Sequence, residues 1–178
     1  MGDVPALEVH TITQARMREL AERVRLHFRA EPPSSGTEDP DVAGAELVLA
    51  EWGQPQLDYA ILRIPRRPQS GVRVSRTRLT IQGGGFLPAN IPQHPNGGPL
   101  EIGIRANKVT STSDTHVLYE TDTQGGSSGS PVCDDGWKAW ALHRADGNQG
   151  TQMAAILDRI DEVAPELGAE IASQGHVD

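Results

Sequence analysis

The sequence predicts an all-β protein with one helix near its C-terminal end. It contains 19 glycines and 13 prolines among 178 residues, a share that favours turns and short strands over a helix bundle. Short apolar runs and apolar/polar alternation recur between Gly- and Pro-rich turns. Many short strands at short spacing are typical of a β-barrel or a β-sandwich.

The first half of the chain predicts one mixed segment and two strands. Residues 13–30 fit a helical period at their start but alternate at 24–28, so we expect a helix or loop that leads into a strand. Residues 45–51 and 56–64 are short and apolar, and we expect both to be strands. The prolines and the glycine of residues 65–71 predict a turn after them.

The second half predicts further strands, a hairpin and the helix. Strand patterns lie at residues 72–81, 117–119, 132–133 and 137–143. The last two flank Asp134-Asp135-Gly136, which is a turn sequence typical of a β-hairpin. Residues 153–163 carry an amphipathic helical pattern, and we expect the polar residues after them to be frayed.

Composition argues against several classes of partner. The 24 acidic and 16 basic residues give a net charge of −8, which disfavours a nucleic-acid partner. Cys133 is the single cysteine, which excludes an intrachain disulfide and a multi-cysteine zinc site and fits a reducing cytoplasm. No stretch approaches the roughly 20 apolar residues needed to cross a bilayer. We therefore expect a cytoplasmic protein with no membrane partner, no metal and no cofactor.

The segment with the clearest chemical pattern is Thr121–Val132, TDTQGGSSGSPV. Gly126 and Gly129 flank Ser127-Ser128, and glycines let a backbone turn sharply beside a substrate carbonyl. The N–H groups of Gly126 and Ser128 could then form an oxyanion hole for a serine nucleophile. On composition alone, a Gly/Ser-rich surface turn is the alternative.

This segment resembles the nucleophile loop of chymotrypsin-like serine peptidases. It is closest to the bacterial glutamyl-endopeptidase-like branch, whose loop reads G-x-S-G-S-P-V. Three other segments resemble family segments in the family's order. They are LDYAILR at 57–63 (family D-x-A-[IL]-L), QHPNG at 93–97 (family H-P-x-G) and ALH at 141–143, where the family builds a wall of its specificity pocket. The resemblance covers roughly residues 24–160.

The resemblance implies two packed six-stranded barrels, the first of them incomplete, followed by a C-terminal helix. In a single peptidase domain, residues 1–82 would form the first barrel, 83–150 the second, and 151–178 the helix and tail. It also implies acyl transfer on a peptide or protein substrate. Ser128 would be the nucleophile, Asp58 the triad acid, and the N–H groups of Gly126 and Ser128 the oxyanion hole.

The histidine base is the departure from the family pattern. The family order is His, Asp, Ser, with the histidine in a Thr-x-x-His context, and His10 and His27 are the histidines before Asp58. His10 lies at a suitable separation but lacks that context, and His27 alternates within a predicted strand. Three explanations stay open. The opening hairpin is missing, the domain binds peptides without cutting them, or His10 is the base.

Two further residues concern the substrate. Thr123 lies five residues before Ser128 and His143 lies fifteen after it, and in the glutamyl-endopeptidase-like branch such a pair recognises an acidic side chain. The alternative is that this histidine sets no preference, and the neighbouring Asp122 would oppose an acidic group. Family members without signal peptides often act beside other modules in bacterial regulatory or defence systems, which implies effector modules as partners. A catalytically inactive peptide- or protein-binding module and an unrelated β-domain are the competing classes.

Overall fold

The computed structural model describes residues 13–26, 42–52, 57–65, 71–81, 85–144 and 147–178. These residues form two compact units, with the described residues up to 65 in the first and those from 71 onward in the second. Twelve short strands and three α-helices lie in these ranges, two of the helices at the C-terminal end. The predicted all-β class with a C-terminal helix is therefore confirmed.

The first unit contains one helix and two strand pairs. Its elements are α1 (Gln14–Glu22), β1 (Arg25–Leu26), β2 (Val42–Ala43), β3 (Glu46–Glu51) and β4 (Tyr59–Arg63). β1 pairs antiparallel with β2, and β3 pairs antiparallel with β4 through a bulge between Leu47 and Leu49. α1 packs against β3. The helix that leads into a strand and the two strands that follow agree with the sequence patterns.

The second unit contains a six-stranded sheet, a two-stranded sheet and two helices. Its elements are β5 (Arg73–Val74), β6 (Ile91–Gln93), a 3₁₀ turn (Pro95–Gly97), β7 (Glu101–Gly103), β8 (Val109–Thr112), β9 (His116–Tyr119), β10 (Pro131–Cys133), β11 (Lys138–Arg144), β12 (Gln149–Gln152), α2 (Met153–Val163) and α3 (Pro165–Ser173). The strand order is β10-β11-β12-β9-β8, all antiparallel, with β5 parallel to β11. β6 and β7 form the antiparallel pair.

Residues 87–90 connect the two ends of the larger sheet through isolated bridges. The Val109 N–H donates to the Leu87 carbonyl on the β8 side (3.0 Å). Asn90 and Cys133 exchange backbone hydrogen bonds of 2.9 and 2.8 Å on the β10 side. The two edge strands of the larger sheet, β8 and β10, are therefore each linked to residues 87–90 by isolated bridges rather than by a continuous ladder.

The core of the second unit contains residues from both of its sheets. Eight buried residues form it: Ala89, Ile91, Val109, Val117, Tyr119, Val132, Trp140 and Ala141. Cys133 is also fully buried, and burial together with the nearby Asp134 carboxylate raises the pKa of its thiol to about 11. The thiol therefore stays protonated at neutral pH and behaves as a small apolar side chain.

The C-terminal end is more ordered than the sequence suggested. α2 has the predicted bounds, but α3 follows it, with Pro165 in its first turn, where the missing N–H costs no helical bond. Val177 then forms a parallel bridge with Val74 of β5. The expectation of a frayed end is wrong because backbone pairing with β5 holds the polar tail.

Deletion of residues 176–178 should destabilise the protein by about 2 kcal/mol, because three backbone bonds are lost and each contributes roughly 0.5–1.5 kcal/mol. These bonds join Val74 N–H to His176 O (2.7 Å), Arg76 N–H to Asp178 O (2.8 Å) and Asp178 N–H to Val74 O (3.2 Å). Urea unfolding measures the change. Asp178→Asn, which keeps the backbone bonds and weakens the exposed ion pairs with Arg73 and Lys138, should change the midpoint little. If both variants lose the same stability, the exposed ion pairs rather than the backbone bonds hold the tail.

Candidate active site

The segment between β9 and β10 adopts a backbone that glycine makes accessible on both sides of Ser127-Ser128. Gly126 has φ +93° and Gly129 has φ +88°, both in the left-handed region. A Cβ atom at Gly126 would also lie 3.1 Å from the backbone oxygen of His94, whereas one at Gly129 would meet nothing within 4 Å. Gly126 is therefore required for conformation and for close approach, and Gly129 for conformation alone.

Ser127 holds the loop from inside. Its side chain is fully buried, and its N–H donates to the Gln124 carbonyl at 3.1 Å. Its hydroxyl accepts the Gln124 N–H at 3.4 Å, and its carbonyl accepts the Ser130 N–H at 3.0 Å. The turn is thus closed by its own residues, with a neutral buried side chain at its centre.

Two neighbouring elements fix the loop in place. The Gly125 carbonyl accepts the N–H of Asn96, in the 3₁₀ turn, at 2.6 Å. On the other side, the Gly129 N–H donates to the His143 carbonyl of β11 at 2.9 Å, and the His143 N–H donates to the Ser130 carbonyl at 2.8 Å. The structure therefore joins the loop to the backbone of His143, while the role of the His143 side chain toward a substrate stays a prediction.

Ser128 is exposed at the tip of this clamped turn. Within the described part of the chain, the N–H groups of Gly126 and Ser128 donate to no protein acceptor. Backbone N–H groups two positions apart, unused by any described residue and beside an exposed hydroxyl, are the kind of donor that suits a group developing negative charge.

Asp58 and His10 lie elsewhere in the chain. Asp58 belongs to the first unit and comes directly before β4, where it is exposed between the buried Leu57 and Tyr59. Its φ of +59° is unusual for a residue other than glycine, although Asp tolerates this region better than most. His10 lies outside the described residues. The roles of Asp58 and His10 stay predictions.

Four histidines are among the described residues, and none of their rings hydrogen-bonds Ser128. Nδ1 of His94 donates to the Gly98 carbonyl at 3.0 Å. The ring of His116 contacts Thr115 and Arg144, and burial, followed by the Arg144 charge, lowers its pKa. His143 contacts Tyr119, and His176 lies in the tail beside β5.

The two residues expected to contact a substrate side chain are each held by a partner that sequence analysis missed. Nδ1 of the buried His143 ring hydrogen-bonds the Tyr119 hydroxyl. That hydroxyl also donates to the Gln149 carbonyl at 3.0 Å. The Thr123 hydroxyl donates to Oδ1 of Asn148 at 2.7 Å. Burial raises the pKa of Tyr119 well above its usual value, so its phenol keeps its proton.

Metal-binding clusters and membrane-spanning helices are both absent from the described ranges. No group of three or more His, Cys, Asp or Glu side chains there could hold a metal ion. None of the helices there is long and apolar enough to span a bilayer.

Most of the chain matches a known family. A sequence model of the trypsin-like peptidase domain matches residues 12–142, which is well over half of the chain. The chain belongs to the trypsin-like peptidase domain family. Its β-rich fold with a C-terminal helix pair is consistent with that of a trypsin-like peptidase domain. The matched range includes Asp58, Thr123 and Ser128, whereas His10 lies just before it and His143 just after it.

A relative of this trypsin-like peptidase domain is the uncharacterized protein y4fB of Sinorhizobium fredii. The two are 29% identical over 105 residues, in an alignment that takes in 50% of this chain and 16% of y4fB. The chain therefore corresponds to a small part of that longer protein.

Proposed function

We propose that this trypsin-like peptidase domain is a serine endopeptidase that acts by acyl transfer through Ser128. The observation that carries the proposal is the nucleophile loop. It has an exposed serine between two left-handed glycines, with the Gly126 and Ser128 N–H groups unused by the described residues. In the reaction, Oγ of Ser128 would add to the peptide carbonyl carbon, and the two N–H groups would stabilise the oxyanion. The peptide C–N bond would then break, and water would hydrolyse the acyl-enzyme.

A base and an acid complete the proposed mechanism. We propose His10 as the base that takes the Ser128 proton and passes it to the leaving amine. Asp58 would orient that imidazole and stabilise its charged form. Support for Asp58 comes from its position at the start of β4 within the family match. Support for His10 comes from the family order of residues.

Labelling with a fluorophosphonate tests the nucleophile, because the reaction requires an activated hydroxyl. Intact mass should show one adduct on the wild type and on Ser130→Ala, and none on Ser128→Ala. Ser130 is the matched control, since it lies in the same turn and its side chain has no role in the proposal. An adduct that persists on Ser128→Ala would assign the reactive serine elsewhere.

The same reagent tests the base. His10→Ala should slow labelling about a thousandfold or more, because an unassisted serine hydroxyl is a weak nucleophile. His27→Ala, the other histidine before Asp58, should label at the wild-type rate. If the His27 variant slows and the His10 variant does not, the two residues exchange roles.

A second candidate is a catalytically inactive peptide- or protein-binding module on the same fold. It is favoured by the absence of any hydrogen bond from the four described histidine rings to Ser128. A folded wild-type protein that forms no adduct, yet binds peptides through the same loop, would support this candidate over the peptidase.

The setting of the domain is part of the proposal. We propose a cytoplasmic domain that works beside other modules, because the part of y4fB that aligns with it is a small fraction of a longer protein. The buried free thiol of Cys133 fits a reducing compartment. We propose Thr123 and His143 as the residues that contact the side chain next to the scissile bond, as in the glutamyl-endopeptidase-like branch.

A further inference from the structure

A cavity of about 310 Å³ lies at the turn end of the β10–β11 hairpin. Asp134, the first residue of the turn, and Lys138, the first residue of β11, form part of its wall. The nucleophile loop meets the opposite end of this hairpin, where the Gly129 N–H donates to the His143 carbonyl. The cavity is therefore separate from the candidate active site, and its volume lies in the range of about 300–1,000 Å³ that is usual for small-molecule sites.

Part of the cavity wall is apolar. Leu79, Leu87 and Pro88 contribute to it, from the segments before and after the masked stretch between strands β5 and β6. The two leucines are partly buried and pack against the core cluster that contains Trp140. An apolar ring placed here would leave water and contact aliphatic side chains, which stabilises a bound ligand.

Two buried hydrogen-bond donors also line the cavity. Ser75 is 7% exposed and Trp140 is 4% exposed. The Ser75 hydroxyl oxygen accepts the Thr77 N–H at 3.2 Å, and this bond does not use the hydroxyl proton. In the part of the chain that the structure describes, no group accepts that proton or the indole proton of Trp140. Because a buried indole N–H normally has an acceptor, these two donors call for an acceptor oxygen from a ligand.

The charged groups in the wall favour a neutral ligand. Nζ of Lys138 pairs with the Asp178 carboxylate at 2.9 Å, so its charge is already balanced. Oδ1 of Asp134 accepts the N–H groups of Gly136 and Lys138 at 2.8 and 2.9 Å, and no described group donates to its Oδ2. An anion would meet this carboxylate without a free cation beside it, whereas an uncharged N–H group could donate to Oδ2.

We infer that this cavity binds a neutral small molecule in which one apolar ring carries a carboxamide. The carboxamide oxygen accepts from the Trp140 indole N–H and the Ser75 hydroxyl, its NH₂ group donates to the Asp134 carboxylate, and the ring packs on Leu79 and Leu87. The inference goes beyond the proposed function and does not depend on it, because the described wall contains no residue of the nucleophile loop.

Titration with benzamide, followed in ¹H–¹⁵N spectra of the full chain at pH 7, tests the site directly. The three tryptophans give three indole N–H signals, and Trp52→Phe and Trp137→Phe assign them. The Trp140 signal should move downfield and saturate with a Kd on the order of 1 mM, as expected for so small a ligand. The Trp52 and Trp137 signals should stay in place. No saturable shift at Trp140, or equal shifts of all three signals, would overturn the site.

Benzoate and benzylamine test the ligand class, because they keep the ring and replace the carboxamide by an anion or a cation. Each should bind at least about tenfold more weakly than benzamide. A preference for either charged compound would overturn the carboxamide assignment.

Variants test the two donors. Ser75→Ala and Trp140→Phe should each weaken benzamide binding about fivefold or more, followed for the second through the Lys138 backbone amide. Ser128→Ala should bind benzamide as the wild type does, since the cavity is separate from the nucleophile loop. Ser75→Ala decides the matter if Trp140→Phe does not fold. Unchanged affinity in folded Ser75→Ala would remove the hydroxyl from the site and overturn the paired-donor arrangement.

Discussion

Gly126→Ala should slow fluorophosphonate labelling of Ser128 by about a hundredfold or more, which is the usual cost of a misplaced oxyanion donor. The new Cβ would lie 3.1 Å from the His94 carbonyl oxygen, 3.1 Å from the Gly97 nitrogen and 3.2 Å from the Asn96 nitrogen. All three are backbone atoms at the 3₁₀ turn, so they cannot swing aside as a side chain could. The loop that carries Gly126 therefore has to shift away from the 3₁₀ turn. Because the Gly126 N–H belongs to that loop, the shift displaces a donor that the proposed transition state needs.

Gly129→Ala is the matched control. Gly129 has nearly the same left-handed φ, but its new Cβ would have open space around it. The strain should cost about 1 kcal/mol of stability. Labelling rates for the folded protein should stay within a few fold of the wild type. For each variant, the urea midpoint measures the loss of stability, and the labelling rate of the folded protein measures the displacement of the N–H group. Equal rates in the two alanine variants would exclude the Gly126 N–H as an oxyanion donor.

Sequence patterns correctly predicted the elements whose formation depends on residues close together in the chain. Residues 153–163 form a helix with the predicted bounds, because their apolar face repeats at the helical period. The hairpin of β10 and β11 follows from a turn sequence between two apolar runs. The sharp turn at Ser127-Ser128 also follows from the sequence, since the left-handed backbone at Gly126 and Gly129 is a property of the residue type.

The segment at 72–81 shows where a local pattern failed. Its alternation predicted a strand, but β5 covers only Arg73–Val74. Further along, side chains replace the ladder as acceptors: Leu79 N–H donates to Oε1 of Gln152 at 2.7 Å, and Ile81 N–H donates to Oγ1 of Thr112 at 3.2 Å. Alternation of apolar and polar residues does not report which groups accept the backbone hydrogen bonds.

The hydrogen-bond partners of His143 and Thr123 could not be predicted from the sequence either, because each partner is distant in the chain. Tyr119 and His143 are 24 positions apart, and Thr123 and Asn148 are 25 apart. Each pair meets only because β9, β11 and β12 are neighbours in the sheet. Strand alternation could place Tyr119 on the core face, but the partner of its hydroxyl depends on strand order, which no local pattern contains.

Ile91→Ala should destabilise the protein by about 2–5 kcal/mol, because its fully buried side chain lies in the core cluster and truncation leaves a cavity. Ile102 provides the matched control. It lies on the paired strand β7, opposite Pro92, and is 50% exposed. Since half of that side chain is already in water, Ile102→Ala should cost about 1 kcal/mol or less. Urea unfolding of both variants measures the difference.

Ile91→Ala should also disturb the loop that carries Ser128. Ile91 begins β6, which leads into the 3₁₀ turn whose Asn96 N–H holds the Gly125 carbonyl. A cavity under β6 loosens that turn, so labelling of Ser128 should slow more in Ile91→Ala than the unfolded fraction explains. Labelling in proportion to the folded fraction would mean that the clamp from β11, through Gly129 and Ser130, is sufficient to hold the loop. In that case the proposed oxyanion donors depend on β11 rather than on β6.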